Sequence, residues 1–120
     1  MQMDILYRST RGNAETVTAS QAILKGLADD GGLFVPERIP ALDVDMDTLA
    51  GMTYQEVAYE VMSRFLTDFT KEELQTCIAR AYDEKFDTDE IAPLHQADGA
   101  YFLVLFHGAT IALKDMAPSI

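Results

Sequence analysis

The sequence predicts an α+β fold, with a small sheet holding strands near residues 5–9 and 101–106, covered by about three helices that include an antiparallel pair over 54–66 and 71–86. Three features of the chain support this. First, Thr18-Ala-Ser-Gln21, Thr53-Tyr-Gln-Glu56 and Thr70-Lys-Glu-Glu73 each set a hydroxyl three residues ahead of Gln or Glu. In that spacing the two side chains reciprocally satisfy free amides at a helix start. Second, apolar residues recur behind the last two at the three- and four-residue spacing of one helical stripe. Third, the runs near 5–9 and 101–106 are β-prone, and the later one is continuously apolar.

Taken in order, Ile5 to Ser9 is a short strand, and Thr10-Arg11-Gly12-Asn13 suits a turn. Thr18 caps a helix carrying Ala22, Ile23 and Leu27 to about Ala28, ended by Asp30-Gly31-Gly32, whose residues tolerate left-handed dihedrals. Leu33-Phe34-Val35 ahead of Pro36 is a brief extended segment. Residues 36–47 carry two prolines and no periodicity, which makes them a connection with about one helical turn after Asp47. The next helix buries Tyr54, Val57, Ala58, Val61, Met62, Phe65 and Leu66, and its partner buries Leu74, Cys77, Ile78, Ala81, Tyr82 and Phe86. At helical spacing these aromatics read as core and not as a ligand box. Asp87-Thr-Asp-Glu90 is a polar link, His95 lies in a linker without a functional reading, and Asp98-Gly99 marks a turn. Tyr101-Phe-Leu-Val-Leu-Phe106 then suits a strand buried on both faces.

A chain of 120 residues supports one domain, and 48% apolar against 24% charged residues is the balance of a folded protein. A net charge of -11 repels nucleic acid and anionic lipid, so neither is an expected partner. The acidic residues are spread out, as on solvated helix faces. A lone cysteine, Cys77, excludes an internal disulfide and a cysteine metal cluster, and no metal is expected. The N-terminus lacks a basic segment followed by an apolar one, and no apolar run is long enough to span a bilayer, so a cytoplasmic location is expected.

Chemistry concentrates in His107-Gly-Ala-Thr-Ile-Ala-Leu-Lys-Asp-Met-Ala117, where a strand ends and a helix starts. Loops leaving strand ends expose backbone amides and side chains together, which makes them usual ligand sites. Lys114 has Ile111, Ala112, Leu113, Met116 and Ala117 as sequence neighbours. An apolar setting favours the neutral, nucleophilic amine that a Schiff-base lysine requires. Composition alone, however, favours a lysine snorkelling from a helix beside an ordinary Asp115, and a structural, hydrogen-bonded role for His107.

The order Val104-Leu-Phe-His-Gly-Ala-Thr-Ile-Ala-Leu-Lys-Asp115 resembles the threonine synthase family, whose bacterial and fungal members carry Glu-Leu-Phe/Trp-His-Gly-Pro-Thr-x-Ala-Phe-Lys-Asp with the same spacing from histidine to lysine. Tyr7-Arg-Ser-Thr-Arg-Gly12, Ser20-Gln-Ala-Ile-Leu-Lys-Gly-Leu27 and Asp30-Gly-Gly-Leu-Phe-Val-Pro36 are similar to the family's N-terminal domain, in the same order. The resemblance implies an α/β enzyme of pyridoxal-phosphate fold type II, a carbon–oxygen lyase of threonine biosynthesis acting on O-phosphohomoserine. It implies residues 1–97 as the N-terminal α+β domain and 98–120 as the beginning of the cofactor-binding domain. Lys114 would hold the cofactor, with His107, Gly108, Thr110 and Asp115 as residues of the site loop.

Val104, Ala109 and Leu113 stand where relatives usually have glutamate, proline and phenylalanine, changing loop stiffness and the bulk beside the lysine. Only six residues follow Lys114, while the family keeps its phosphate-holding glycine-rich loop further along. The chain is therefore expected to be a truncated piece, inactive alone and unable to retain the cofactor. The strand over 101–106, left without its covering domain, makes self-association an expected hazard. Two alternatives remain: a stand-alone acidic interaction or regulatory module, and a fold relative acting on another amino acid.

Overall fold

The computed structural model describes residues 3–116. The α+β class is as expected. In chain order the elements are β1 (Tyr7–Ser9), β2 (Thr16–Val17), α1 (Ala19–Lys25), β3 (Phe34–Pro36), α2 (Met46–Ala50), α3 (Tyr54–Phe65), α4 (Lys71–Ala81), β4 (Leu94–Ala97), β5 (Ala100–Leu103) and a 3-10 turn at Leu113–Asp115.

All three capping boxes form. Thr18, Thr53 and Thr70 accept from the amides of Gln21 (3.4 Å), Glu56 (3.2 Å) and Glu73 (3.2 Å). The Gln21, Glu56 and Glu73 side chains in turn accept from the threonine amides at 3.0, 2.8 and 2.8 Å. Such pairs satisfy two orphan donors at each helix start, which is why local sequence locates these starts so well. Asp45 caps α2 in a simpler way, accepting from the Thr48 amide at 2.8 Å.

Helix ends fall short of the predicted limits. α1 stops at Lys25 because Gly26 takes φ 74°, before the expected Ala28. α4 stops at Ala81, with Tyr82 in a non-helical conformation, whereas the apolar stripe continued to Phe86. Phe86 still reaches the core, through a turn closed by its amide on the Asp83 carbonyl (3.2 Å). α3 and α4 pack as the expected antiparallel pair: Gln55 at the start of α3 donates to the Tyr82 carbonyl after the end of α4 (2.6 Å), and the Tyr54 and Tyr82 rings meet edge-on at 4.9 Å.

The strands near 5 and 103 lie in different sheets, which corrects the single sheet expected from sequence. β1 is central in an antiparallel sheet of order β2-β1-β3, with Tyr7 opposite Val17 and Pro36. Pro36 is tolerated because β3 is an edge strand. β4 and β5 form a separate hairpin, with Leu94 opposite Leu103. Asp98 (φ 50°) and Gly99 (φ 73°) supply the two positive dihedrals that a tight hairpin turn needs. β5 covers 100–103 and not 101–106, and it is not buried on both faces: Tyr101 and Leu103 are 70% and 57% exposed. A continuous apolar run reports that a strand wants cover, and no element of the described chain provides it.

The core beside the chemical segment is Ile78, Ala81, Tyr82, Phe86 and Ile91, with Ala58, Tyr59, Met62 and Met116 packed on it. The β1 sheet is tied to the helical pair by the Tyr7 hydroxyl on the Phe65 carbonyl (2.9 Å) and the Ile5 amide on Thr67 Oγ1 (3.0 Å). That second bond explains why Ile5, though fully buried, precedes the strand that sequence began there. No helix among the described residues is long and apolar enough to cross a membrane.

Candidate functional site

The chain leaves β5 with the Val104 amide bonded to the Pro93 carbonyl at 2.9 Å, then runs through Phe106 to the segment singled out by sequence. His107 is held at two points. Its carbonyl accepts from the Asp87 amide at 3.1 Å, and its ring Nδ1 lies 2.5 Å from Asp87 Oδ1. The Phe106 ring flanks the imidazole at 4.6 Å, and the histidine side chain is 16% exposed.

Gly108 is buried, and a Cβ there would meet the Asp115 side chain at 2.5 Å, so only glycine lets the loop close this tightly. The Ile111 amide returns to the Gly108 carbonyl at 3.0 Å. Ile111 itself takes φ 59°, a left-handed conformation that costs a β-branched residue energy and persists only where the surroundings impose it. The imposing group is Asp115. Its carboxylate accepts from the Thr110 amide at 2.8 Å, from the Thr110 hydroxyl, and from the Ala112 amide at 3.4 Å. The Thr110 hydroxyl, more than any other group, holds the Asp115 carboxyl below the usual carboxylate range; the loop amides and Lys114 act the same way, against partial desolvation. Beyond the 3-10 turn, the Met116 carbonyl accepts the Tyr82 hydroxyl at 2.5 Å, pinning the segment to the core.

His107, Gly108, Thr110 and Asp115 are thus gathered in one loop, and Lys114 stands next to the buried Asp115 on the 3-10 turn. The apolar setting expected for Lys114 is absent. The lysine is exposed, because Ile111 and Leu113 are themselves 73% and 66% exposed and do not enclose it. What the loop offers chemically is an accessible primary amine on a turn fixed at both ends, without the apolar enclosure that would favour its neutral form. Asp87 and Tyr82 were missed by sequence reasoning. Asp87 is one of several acids in a polar link, and Tyr82 continues a helical stripe, so neither carried a signal of its own.

Two other segments singled out by sequence meet each other. Asp30 accepts from Ser9 Oγ (2.6 Å) and from the amides of Gly32 (2.9 Å) and Asn13 (3.2 Å), while Arg11 donates to the Asp30 carbonyl (3.0 Å). The Ser9 hydroxyl first, and the Gly32 amide next, hold the Asp30 carboxyl below its ordinary range. A Cβ on Gly32 would lie 2.1 Å from Ser9 Oγ. This knot positions the β1 and β3 ends and consumes its own polar groups, which is a structural role.

Known proteins resemble this chain over most of its length. Residues 6–82 match the model of the family described as threonine synthase N terminus. The chain is 38% identical over 121 residues to threonine synthase of Schizosaccharomyces pombe, covering 98% of this chain and 23% of that protein. It is 38% identical over 114 residues to the Pseudomonas aeruginosa enzyme of the same name, covering 92% and 24%. Among solved structures, threonine synthase from yeast superposes with a TM-score of 0.79 at 37% identity, and PLP-bound threonine synthase from Brucella melitensis with 0.81 at 35%; each covers 93% of this chain. The chain spans about a quarter of the length of these relatives.

Proposed function

The chain belongs to the threonine synthase N-terminal family, and from that premise we propose that it is the N-terminal region of an enzyme that converts O-phosphohomoserine and water into threonine and phosphate with pyridoxal phosphate. Residues 1–97 are the family's N-terminal α+β domain, and 98–120 begin the domain that binds the cofactor. The observation that carries this reading is the loop His107–Asp115, in which a buried aspartate closes the backbone around an exposed lysine.

The described residues fit covalent attachment of the cofactor. The Lys114 amine is accessible, and its turn is fixed by Asp115 on one side and by the Tyr82 bond to Met116 on the other. The loop is a poor holder of the cofactor's phosphate, since the amides of Thr110 and Ala112 already donate to Asp115 and that of Ile111 to Gly108. A phosphate needs several convergent free amides. On this reading the phosphate is held outside the described residues, and the 120-residue chain alone neither retains the cofactor nor makes threonine.

When bound, pyridoxal phosphate supplies the electron sink for negative charge at the substrate carbons. The residues of this chain do the positioning. Lys114 holds the cofactor through its side-chain amine and, once freed, has at Nζ a base that accepts and returns protons. Thr110 and Asp115 fix the backbone that carries it, and Gly108 allows their close approach.

A chimera tests the assignment. This chain replaces the corresponding N-terminal region of the Schizosaccharomyces pombe relative. Threonine formation from O-phosphohomoserine and the visible absorption of the bound cofactor are both expected, and Lys114→Ala is expected to remove both. A folded Lys114→Ala chimera with undiminished absorption would sink the lysine assignment. Turnover by the isolated chain would contradict the shortage of phosphate donors.

A further inference from the structure

We propose that Asp87 is a positioning residue for His107: its carboxylate accepts the Nδ1 proton, fixes the imidazole in one tautomer, and leaves Nε2 as the basic nitrogen of the ring. The inference rests on reading residues 107–115 as the cofactor-attachment loop, because that reading gives a basic nitrogen here something to act on. The geometry behind it stands by itself. A carboxylate accepts and cannot donate, so the proton shared across the 2.5 Å contact between Nδ1 and Asp87 Oδ1 belongs to the ring. The partner bond, from the Asp87 amide to the His107 carbonyl at 3.1 Å, ties the same two residues through their backbones. Two bonds between one pair of residues fix ring rotation as well as distance. The Phe106 ring at 4.6 Å restricts the imidazole from a further side.

An orienting carboxylate on one ring nitrogen is the usual way for a protein to decide which nitrogen of a histidine does chemistry. Asp87 is 72% exposed while the His107 side chain is 16% exposed, so the carboxylate reaches in from solvent to a ring already packed in place. Its removal therefore opens no cavity. Asp87 also lies outside residues 6–82, the part that matches the family model. It joins the site from the link between α4 and β4, where its own amide also holds it against His107.

The test uses the two histidines of the chain, His95 and His107. Long-range proton–nitrogen correlation spectra of the nitrogen-15-labelled 120-residue protein report which ring nitrogen carries the proton. They are recorded at pH ~9, above the roughly 6.5 of an unperturbed imidazole. His107 is expected with its proton on Nδ1, and the exposed His95 with the ordinary mixture. A charge-assisted bond biases such an equilibrium about tenfold or more. Asp87→Ala is expected to abolish that bias at His107 and leave His95 unchanged. Asp87→Asn, whose uncharged amide can donate to Nδ1 as well as accept from it, is expected to lose the bias too, because only a carboxylate is restricted to accepting.

A wild-type His107 protonated on Nε2 alone, or on both nitrogens at that pH, overturns the proposal. So does an unchanged tautomer in Asp87→Ala. Because this readout needs neither cofactor nor turnover, its failure is separable from failure of the chimera. An Nδ1-protonated His107 beside an inactive chimera would remove the enzymatic reading and leave the Asp87 assignment in place.

Discussion

At Gly108 a hydrogen is the only substituent the loop has room for. A Cβ would lie 2.5 Å from Asp115 Cβ and 2.6 Å from Asp115 Oδ2, atoms that cannot move without releasing the amides of Thr110 and Ala112. Gly108→Ala is therefore expected to cost about 1–3 kcal/mol by overpacking. Gly51→Ala, where the nearest atom is the Thr48 carbonyl oxygen at an ordinary 3.6 Å, should stay within about 0.5 kcal/mol of wild type. Urea denaturation of both variants checks this, and equal midpoints would refute the close packing of Gly108 on Asp115. The Asp115 carboxyl is held low in the folded state, so its contribution is present above the unfolded carboxylate value and is lost as pH falls through the folded one. Sequence marked both residues through the motif, while their contact became visible only once the chain folded back on itself.

The end of α4 links the helical layer to the site loop. Tyr82, just past the last helical residue, is 6% exposed, receives Gln55 on its carbonyl and gives its hydroxyl to the Met116 carbonyl. Burial first, then the neighbouring Tyr54, push its pKa up to about 12 from the ordinary 10.0. A raised tyrosine value means that the neutral, donating form belongs to the fold. The stability it contributes is complete below pH 10.0 and is lost as pH climbs through about 12. Tyr82→Phe should flatten that alkaline loss, leaving the smaller slope of Tyr7 and Tyr54, whose values are also raised. It should also cost about 1 kcal/mol at neutral pH for the lost bond. Thermal melts across alkaline pH check this, and an unchanged profile in the variant would show that the buried Tyr82 phenol does not carry the alkaline loss.

For the molecule as a whole, charge and apolar surface oppose each other. A formal charge of -11 keeps copies apart, while Leu94, Tyr101, Phe102, Leu103 and Phe106 are exposed together on and after the β4–β5 hairpin. A two-stranded hairpin with open edges and apolar side chains pairs readily with another strand. Salt shortens the reach of the repulsion to about 10 Å at 0.1 M and further above it, without weakening the apolar attraction. Self-association of the 120-residue chain is therefore expected to rise with salt and concentration, and Phe102→Lys to reduce it. Sedimentation velocity showing one concentration-independent monomer at high salt would remove this expectation.

Helix starts were legible residue by residue because a capping box is a contact between side chain and backbone three positions apart, written entirely in local sequence. The apolar stripe of α4 was legible for the same reason and buries Leu74, Ile78 and Ala81, whereas α3, expected to bury its stripe, buries none of it and leaves Tyr54 and Val61 exposed. The turn at Asp98-Gly99 was legible, but β4 ahead of it, with His95, was read as a linker. The order of Lys114 and Asp115 behind His107-Gly108 singled out the segment that is proposed to carry the chemistry. Tertiary structure alone decided that β1 pairs with β2 and β3, and that β5 turns to β4 and stays uncovered. It also decided that Lys114 faces solvent and that Asp87 reaches His107 across twenty residues of chain. Strand partners and burial are set by which surfaces compete for each other once the chain is compact, and that competition has no period along the sequence.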